Sequence, residues 1–211
     1  GARWSSAPKP QLKDELYNDA YIDPGKSGKM VYALTEAEPV FDAADFARCG
    51  YDIFAQRSNV TNLMGIQWLQ RHLGPKYRIH VLEVEDSKPM HIDTTFMPLA
   101  PGVVLVNPEK VRTLPAILSG WKVLETPRPT IDIQDGFAMC SNWISSNVLM
   151  LDQRRVLVEA KEEPLLRAFE RWGFEPIPYS MLTFNRFGGG FHCCTLDVRR
   201  RGNLESYFEL V

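Results

Sequence analysis

Residues 147–179, NVLMLDQRRVLVEAKEEPLLRAFERWGFEPIPY, decide the fold. Residues 147–151 and Val156-Leu157-Val158 read as two strands joined by a turn at Asp152-Gln153-Arg154-Arg155. A helix follows over residues 164–172. Pro164 sits in its first turn, where no helical N–H is needed, Leu165, Leu166, Phe169 and Trp172 form one apolar stripe, and Gly173 stops it. Residues 174–179 return as a strand, so the unit reads ββαβ.

The same order precedes this unit twice. Residues 41–46 read as a strand that turns near Cys49-Gly50 into residues 51–54. A helix over 58–72 follows, with Ser58 as N-cap and Leu63, Met64, Ile66 and Trp68 on its apolar pattern. Gly74-Pro75 stops it and residues 77–82 form the return strand. In the next unit, residues 91–97 turn at Pro101-Gly102 into the buried strand Val103-Val104-Leu105-Val106. A short helix over 114–118 ends near Gly120, and Lys122-Val123-Leu124 closes the unit. Glu83 and Glu125, at comparable points, lie about 42 residues apart, a spacing typical of radial or stacked repeats. An ordinary doubly wound α/β sheet is the competing arrangement at this point. No Gly/Ser-rich or charged tract divides the chain, which reads as one domain over residues 1–211.

With 45% hydrophobic and 24% charged residues, the 211-residue chain has the composition of a globular protein. Its formal net charge of -2 provides no global positive field for a nucleic acid. No apolar run approaches the roughly 18 residues of a membrane helix, and Gly1-Ala2-Arg3-Trp4-Ser5-Ser6 lacks a signal peptide's apolar stretch. An intracellular protein is expected. Cys49, Cys140, Cys193 and Cys194 are too few and too unevenly spaced for a disulfide framework and read as free thiols. A start at Gly1 rather than methionine suggests a processed, tagged or truncated chain.

Phe187-Gly188-Gly189-Gly190-Phe191-His192-Cys193-Cys194-Thr195 is the least ordinary segment. Three glycines permit a sharp bend or a close backbone approach, and the residues after them read as a strand. Cys193 then faces with Phe191 and Thr195, and Cys194 with His192, so only one thiol addresses a given pocket. Two buried apolar thiols are the structural alternative. In His91-Ile92-Asp93, strand alternation puts imidazole and carboxylate on one face, fit to hold a cation while moving a proton; a hydrogen-bonded structural histidine is the alternative. Asp42 and Asp45, within Phe41-Asp42-Ala43-Ala44-Asp45-Phe46, should each be exposed or serve a positive partner, because an unpaired buried carboxylate is costly. Cys140-Ser141-Asn142-Trp143 reads as a polar turn, and Arg199-Arg200-Arg201 as a solvated run. No CxxC or HxxxH spacing points to a metal.

Taken together, FDAADF (41–46), DIFAQRSNVTN (52–62), MHIDTTF (90–96), NVLMLD (147–152) and GGGFHCCTLDVRRRG (188–202) resemble the amidinotransferase family, in particular its arginine:glycine members. The resemblance runs from the Trp4 segment nearly to Tyr207. It implies a pentein α/β propeller of five ββαβ blades around an active-site channel, incomplete here because N-terminal blades are missing and this is the C-terminal portion of the catalytic domain. It also implies transfer of the amidino group of L-arginine to an acceptor amine, glycine first, giving guanidinoacetate and ornithine through an amidino-cysteine and without cofactor or metal.

By that resemblance Cys193 is the nucleophile, His91 the acid and base, and Asp42 the group that orients His91. Asp93 and Ser141 hold the arginine. Cys140 stands where the family often has serine, and Lys110 where an arginine often contacts the substrate carboxylate. Met90 narrows the acceptor side. The other functions weighed are transfer to another amine (an inosamine phosphate, lysine or a natural-product precursor), an arginine deiminase-like guanidino hydrolase, and a non-catalytic arginine-binding propeller. No nucleic-acid or membrane partner is expected and a homodimer is left open. The compartment is cytoplasmic, or mitochondrial for an animal source, and activity of the fragment alone is left open.

Overall fold

The structure, a computed structural model, describes residues 4–21, 30–133 and 139–208. Residues 1–3, on which the reading of the chain start rests in part, lie outside the described residues. Three three-stranded sheets follow one another along the chain: β1 (Phe46–Cys49), β2 (Asp52–Gln56) and β3 (Arg78–Leu82); β4 (Phe96–Ala100), β5 (Val103–Val106) and β6 (Lys122–Glu125); β7 (Leu149–Met150), β8 (Arg155–Glu159) and β9 (Glu175–Tyr179). In each, the first strand pairs antiparallel with the second, and the second pairs parallel with the third. The repeated unit is therefore present three times. Helix α1 (Leu63–Leu73) makes the crossover in the first unit and α2 (Glu163–Arg171) in the third, whereas the second crosses through a loop with a single 3-10 turn, Ala116–Leu118.

Alternation along the middle sheet explains how the units stack. Phe96, Val104 and Val106 join Phe54, Leu82 and Phe208 in one core, while Met97, Leu99, Leu105 and Leu124 join Val148, Val156, Val158, Leu165 and Phe169 in another. Successive side chains of a strand point to opposite faces, so β4 and β5 have an apolar layer on each side. Such packing yields uninterrupted apolar runs like VVLV. Among the described residues no helix is long and apolar enough to cross a membrane.

Several boundaries differ from the sequence reading. Ser58 does not cap a helix: it is fully buried and its hydroxyl is committed to Asp45. Helix α1 begins at Leu63, capped by Asn62, whose Oδ1 accepts from Gly65 N at 2.8 Å. Residues 41–45 are not a strand, because Asp42 caps a 3-10 turn, Ala43–Asp45, and pairing starts only at Phe46. Likewise His91 precedes a 3-10 turn, Ile92–Thr94, so the His91–Asp93 relation comes from a turn and not from strand alternation. Residues after the glycines form turns, closed by Cys194 N to Gly190 O at 3.2 Å and Thr195 N to His192 O at 3.1 Å. A short helix α3, Leu182–Asn185, precedes them.

Gly65 tests the tightness of this packing. A Cβ built on it would lie 2.1 Å from Val40 O, so the segment before β1 runs directly against helix α1. Gly65→Ala should lower stability by about 1–3 kcal/mol through overpacking, although alanine is the better helix former by about 1 kcal/mol. Urea denaturation reads the sign, and a stabilised variant would contradict the close approach.

Candidate active site

A 3-10 turn lies at the head of each unit and places polar side chains at one centre. Asp42, His91 and Ser141 occupy the N-cap positions of Ala43–Asp45, Ile92–Thr94 and Asn142–Ser146. The second turn packs against both of the others. Three residues about 50 positions apart in sequence thus converge because the module repeats. His91 and Ser141 border a cavity of about 730 Å³, lined also by Asp93, Lys110, Cys140 and Cys193, among others. Asp42 stands behind His91, its Oδ2 3.4 Å from His91 Nε2.

The His91–Asp42 pair is held from below. Asp42 Oδ1 accepts from Ala44 N at 2.9 Å, and Asp42 N donates to Thr61 Oγ1 at 3.0 Å. Thr61 Oγ1 in turn donates to Asp45 Oδ2 at 2.6 Å. Asp45 corrects the expectation of exposure or a positive partner: it is fully buried and accepts from the neutral Gln56, Ser58 and Thr61. Three hydrogen bonds offset its desolvation in place of a cation. The same loop reaches the histidine from the other side, because Asn59 N donates to Pro89 O at 3.0 Å. His91 has φ 56, outside the usual range of a non-glycine residue.

At the other wall, Cys193 Sγ donates to Asp93 Oδ2 at 3.3 Å and accepts from Asn147 Nδ2 at 3.0 Å. Burial pushes the Cys193 thiol up to about 11, with the Asp93 charge adding to the shift. Burial alone would raise Asp93, but hydrogen bonds from His192 and Cys193 hold its carboxyl below the usual range. His192 Nδ1 lies 3.2 Å from Asp93 Oδ2, and that hydrogen bond raises the imidazole above its ordinary value. The resting arrangement is a neutral thiol and a histidine sharing one buried carboxylate.

The supporting loop is anchored as well. Glu159 Oε2 accepts from Met181 N at 2.6 Å at the start of α3, whose Asn185 donates through Nδ2 to Gly189 O at 2.7 Å. Cys140 Sγ donates to Asn185 O at 2.9 Å, and burial raises its thiol. Lys110 is paired with Asp86 at 2.7 Å on the cavity wall. Cys194 donates instead to Phe191 O at 3.5 Å, so one thiol of the two addresses the cavity, as expected, but through a turn. Asn147, His192 and Asp45 received no role from the sequence. His192 stood in view beside Cys193, whereas Asn147 read as the first residue of a strand.

No family model matches the chain. It is 54% identical over 207 residues to an L-arginine:L-lysine amidinotransferase of Pseudomonas savastanoi pv. phaseolicola, covering 98% of this chain and 57% of that protein. It is 48% identical over 221 residues to the mitochondrial glycine amidinotransferase of Gallus gallus, covering 99% of this chain and 51% of that protein. The chain therefore spans about half the length of the curated relatives it matches. Among solved structures, an amidinotransferase of the saxitoxin biosynthetic pathway from Microseira wollei superposes with a TM-score of 0.92 at 53% identity, over 99% of this chain and 60% of that one. A dimethylarginine dimethylaminohydrolase from Pseudomonas aeruginosa, at 19% identity and a TM-score of 0.56 over 73% of this chain and 54% of that one, shares the fold alone. The architecture is the pentein α/β propeller. Identity near one half, sustained over almost every residue of this chain, makes it similar to part of the length of several proteins named amidinotransferases.

Proposed function

We propose that residues 1–211 are part of an amidinotransferase catalytic domain, and that the cavity moves the amidino group of L-arginine to an acceptor amine through an amidino-cysteine at Cys193. The observation that carries this reading is the sharing of one buried carboxylate, Asp93, by the thiol and a histidine, beside the His91–Asp42 pair in the same cavity. A planar guanidinium is the natural replacement for those donors, because its N–H groups satisfy a carboxylate in a fixed geometry.

Arginine binding changes the charge beside the sulfur. The guanidinium takes the Asp93 oxygen from the thiol and adds a positive charge beside the sulfur to that of the His192–Asp93 pair, so Cys193 gives its proton to His91 once substrate is in place. The thiolate pair attacks the guanidinium carbon and its C=N electrons move onto nitrogen. The bond from that carbon to arginine Nε then breaks as the C=N bond re-forms, its pair staying on the nitrogen that becomes the δ-amine of ornithine. His91 passes the former thiol proton to the leaving amine, releasing ornithine and an amidino group on sulfur. In the return step the acceptor ammonium gives a proton to His91, its nitrogen attacks the same carbon and sheds a second proton to solvent, and the C–S bond breaks with its pair on sulfur, which His91 reprotonates. Asp42 keeps the imidazole oriented, Ser141 and Cys140 bound the arginine, and Lys110 offers charge to a substrate carboxylate, as a point charge in place of a fork.

Glycine is the acceptor favoured by Met90, a half-exposed side chain on the cavity wall. Lysine is the second reading. The cavity far exceeds the size of glycine, and Glu85, Asp86 and Glu109 on its lining, now paired with Arg112, Lys110 and Arg128, would hold a side-chain ammonium by exchanging a partner. Transfer is preferred to hydrolysis because relatives at 48–54% identity are named for transfer.

With arginine alone, intact-mass spectrometry should find one amidino adduct on Cys193 and one equivalent of ornithine. Cys193→Ala should abolish both, and Cys194→Ala should keep most of the activity; an adduct on Cys194 or Cys140 would overturn the assignment. Glycine and lysine, offered in turn to the adduct, rank the acceptors, and citrulline formed without any acceptor identifies a hydrolase. His91→Asn should slow both half-reactions by about a hundredfold or more, and Asp42→Asn should slow them less; unchanged ornithine release in His91→Asn assigns the acid step elsewhere. Asp93→Asn should do two opposite things. Removing the charge that opposes ionisation brings the thiol down from about 11, so iodoacetamide modifies Cys193 faster at pH 8, while arginine binding is lost. Slower alkylation would contradict the electrostatic account.

A further inference from the structure

We infer that Asn147 is a catalytic residue, its side-chain amide donating to Cys193 Sγ and supporting the thiolate that attacks arginine and later leaves as the acceptor is amidinated. The assignment rests on the reading of Cys193 as the nucleophile. Asn147 is fully buried and closes the 3-10 turn Asn142–Ser146. Its amide orientation is determined by its neighbours. Oδ1 accepts from the backbone N–H groups of His192 at 2.8 Å and Cys193 at 3.4 Å, so an oxygen belongs on that side. Nδ2 then faces the sulfur at 3.0 Å. The glycine loop is shaped to this side chain, since a Cβ on Gly190 would lie 2.7 Å from Asn147 Oδ1 and 2.8 Å from its Cβ and Cγ.

Asp93 and Asn147, two polar partners of a sulfur that the Gly190 backbone also hydrogen-bonds, respond oppositely to its ionisation. Asp93 accepts the S–H hydrogen bond, and its charge opposes the thiolate. Asn147 donates, and a hydrogen bond to an ionised acceptor is roughly twice as strong as a neutral one. When the guanidinium occupies Asp93, the Asn147 N–H remains aimed at the developing charge without reorganisation, as electrostatic preorganisation requires. Both half-reactions use this contact, the first by forming the attacking thiolate and the second by stabilising the same thiolate as leaving group.

A residue that merely holds the loop needs Oδ1 and spends Nδ2 on Asp93, to which Asn147 is also hydrogen-bonded. Asn147→Asp separates the two roles, because it keeps an acceptor for His192 N and Cys193 N while removing the donor to sulfur. Asn147→Ser removes the side-chain amide without adding charge. In the intact protein at pH 8, single-turnover formation of amidino-Cys193 should fall about tenfold or more in both variants. A factor of ten corresponds to about one unit in thiol pKa, and the pH profile of Cys193 alkylation should move upward to match. Arginine affinity should stay within about threefold. Adduct formation and an alkylation profile like those of the wild type in a folded Asn147→Asp overturn the assignment and leave Asn147 as a loop cap.

If neither variant folds, the wild type decides. The side-chain amide resonances of Asn147 should shift across the pH range in which Cys193 becomes reactive to iodoacetamide, and invariance overturns the contact. A displaced alkylation profile in the variants, with no arginine adduct in the wild type, would sink the amidinotransferase reading while sustaining the thiolate contact.

Discussion

The site depends on the carboxylate of Asp93, buried and hydrogen-bonded by the side chains of His192, Cys193 and Asn147. A buried carboxylate must be satisfied, and here its donors include Cys193 and His192. That requirement joins the middle unit to the glycine loop and fixes the position of the sulfur. It also sets the chemical state of the resting site, because a negative charge beside a thiol keeps the proton on sulfur. The same carboxylate therefore acts as a structural fastening in one state and as a substrate contact in the proposed reaction.

Repetition supplies the remaining geometry. Each unit begins with a 3-10 turn whose N-cap side chain looks toward the common centre, so Asp42, His91 and Ser141 arrive by the same route from three parts of the chain. Short polar turns could not hold such positions alone. They are held by buried groups beneath them: Asp45 grips Ser58 and Thr61 under Asp42, and Asn59 ties that loop to Pro89 beside His91. This support permits the left-handed backbone of His91, a conformation that persists only where its surroundings over-determine it.

Central strands were legible because burial on both faces writes an apolar run that needs no knowledge of partners: Val103-Val104-Leu105-Val106 and Val156-Leu157-Val158 lie inside β5 and β8. The amphipathic helix beginning near Pro164 was equally plain. The inner turns were not, since a 3-10 turn of three to five residues carries no hydrophobic period. Residues 41–45 and 91–94 were consequently read as strands, and Ser58 passed for a cap because nothing local shows that its hydroxyl is spent on Asp45. Cys193, His91, Asp42, Asp93, Cys140, Ser141 and Lys110 were picked out through a family resemblance, and the cavity collects all of them at or directly behind its wall. Asn147 escaped notice because its importance lies in contacts with residues 45 and 46 positions away.

The proton that burial and the Asp93 charge keep on Cys193 bears on how the protein ages. Peroxide and disulfides react with thiolates, and sulfur oxidation follows thiolate character and exposure. Cys193 is exposed as a residue, but burial of its sulfur and the Asp93 charge push the thiol up to about 11, which makes it a poor target while no cation occupies the cavity. Cys140, on the same lining, is also raised by burial and gives its S–H to a carbonyl. The cavity is thus lined by two sulfurs whose raised thiols leave little thiolate for oxidants while no cation lies beside them.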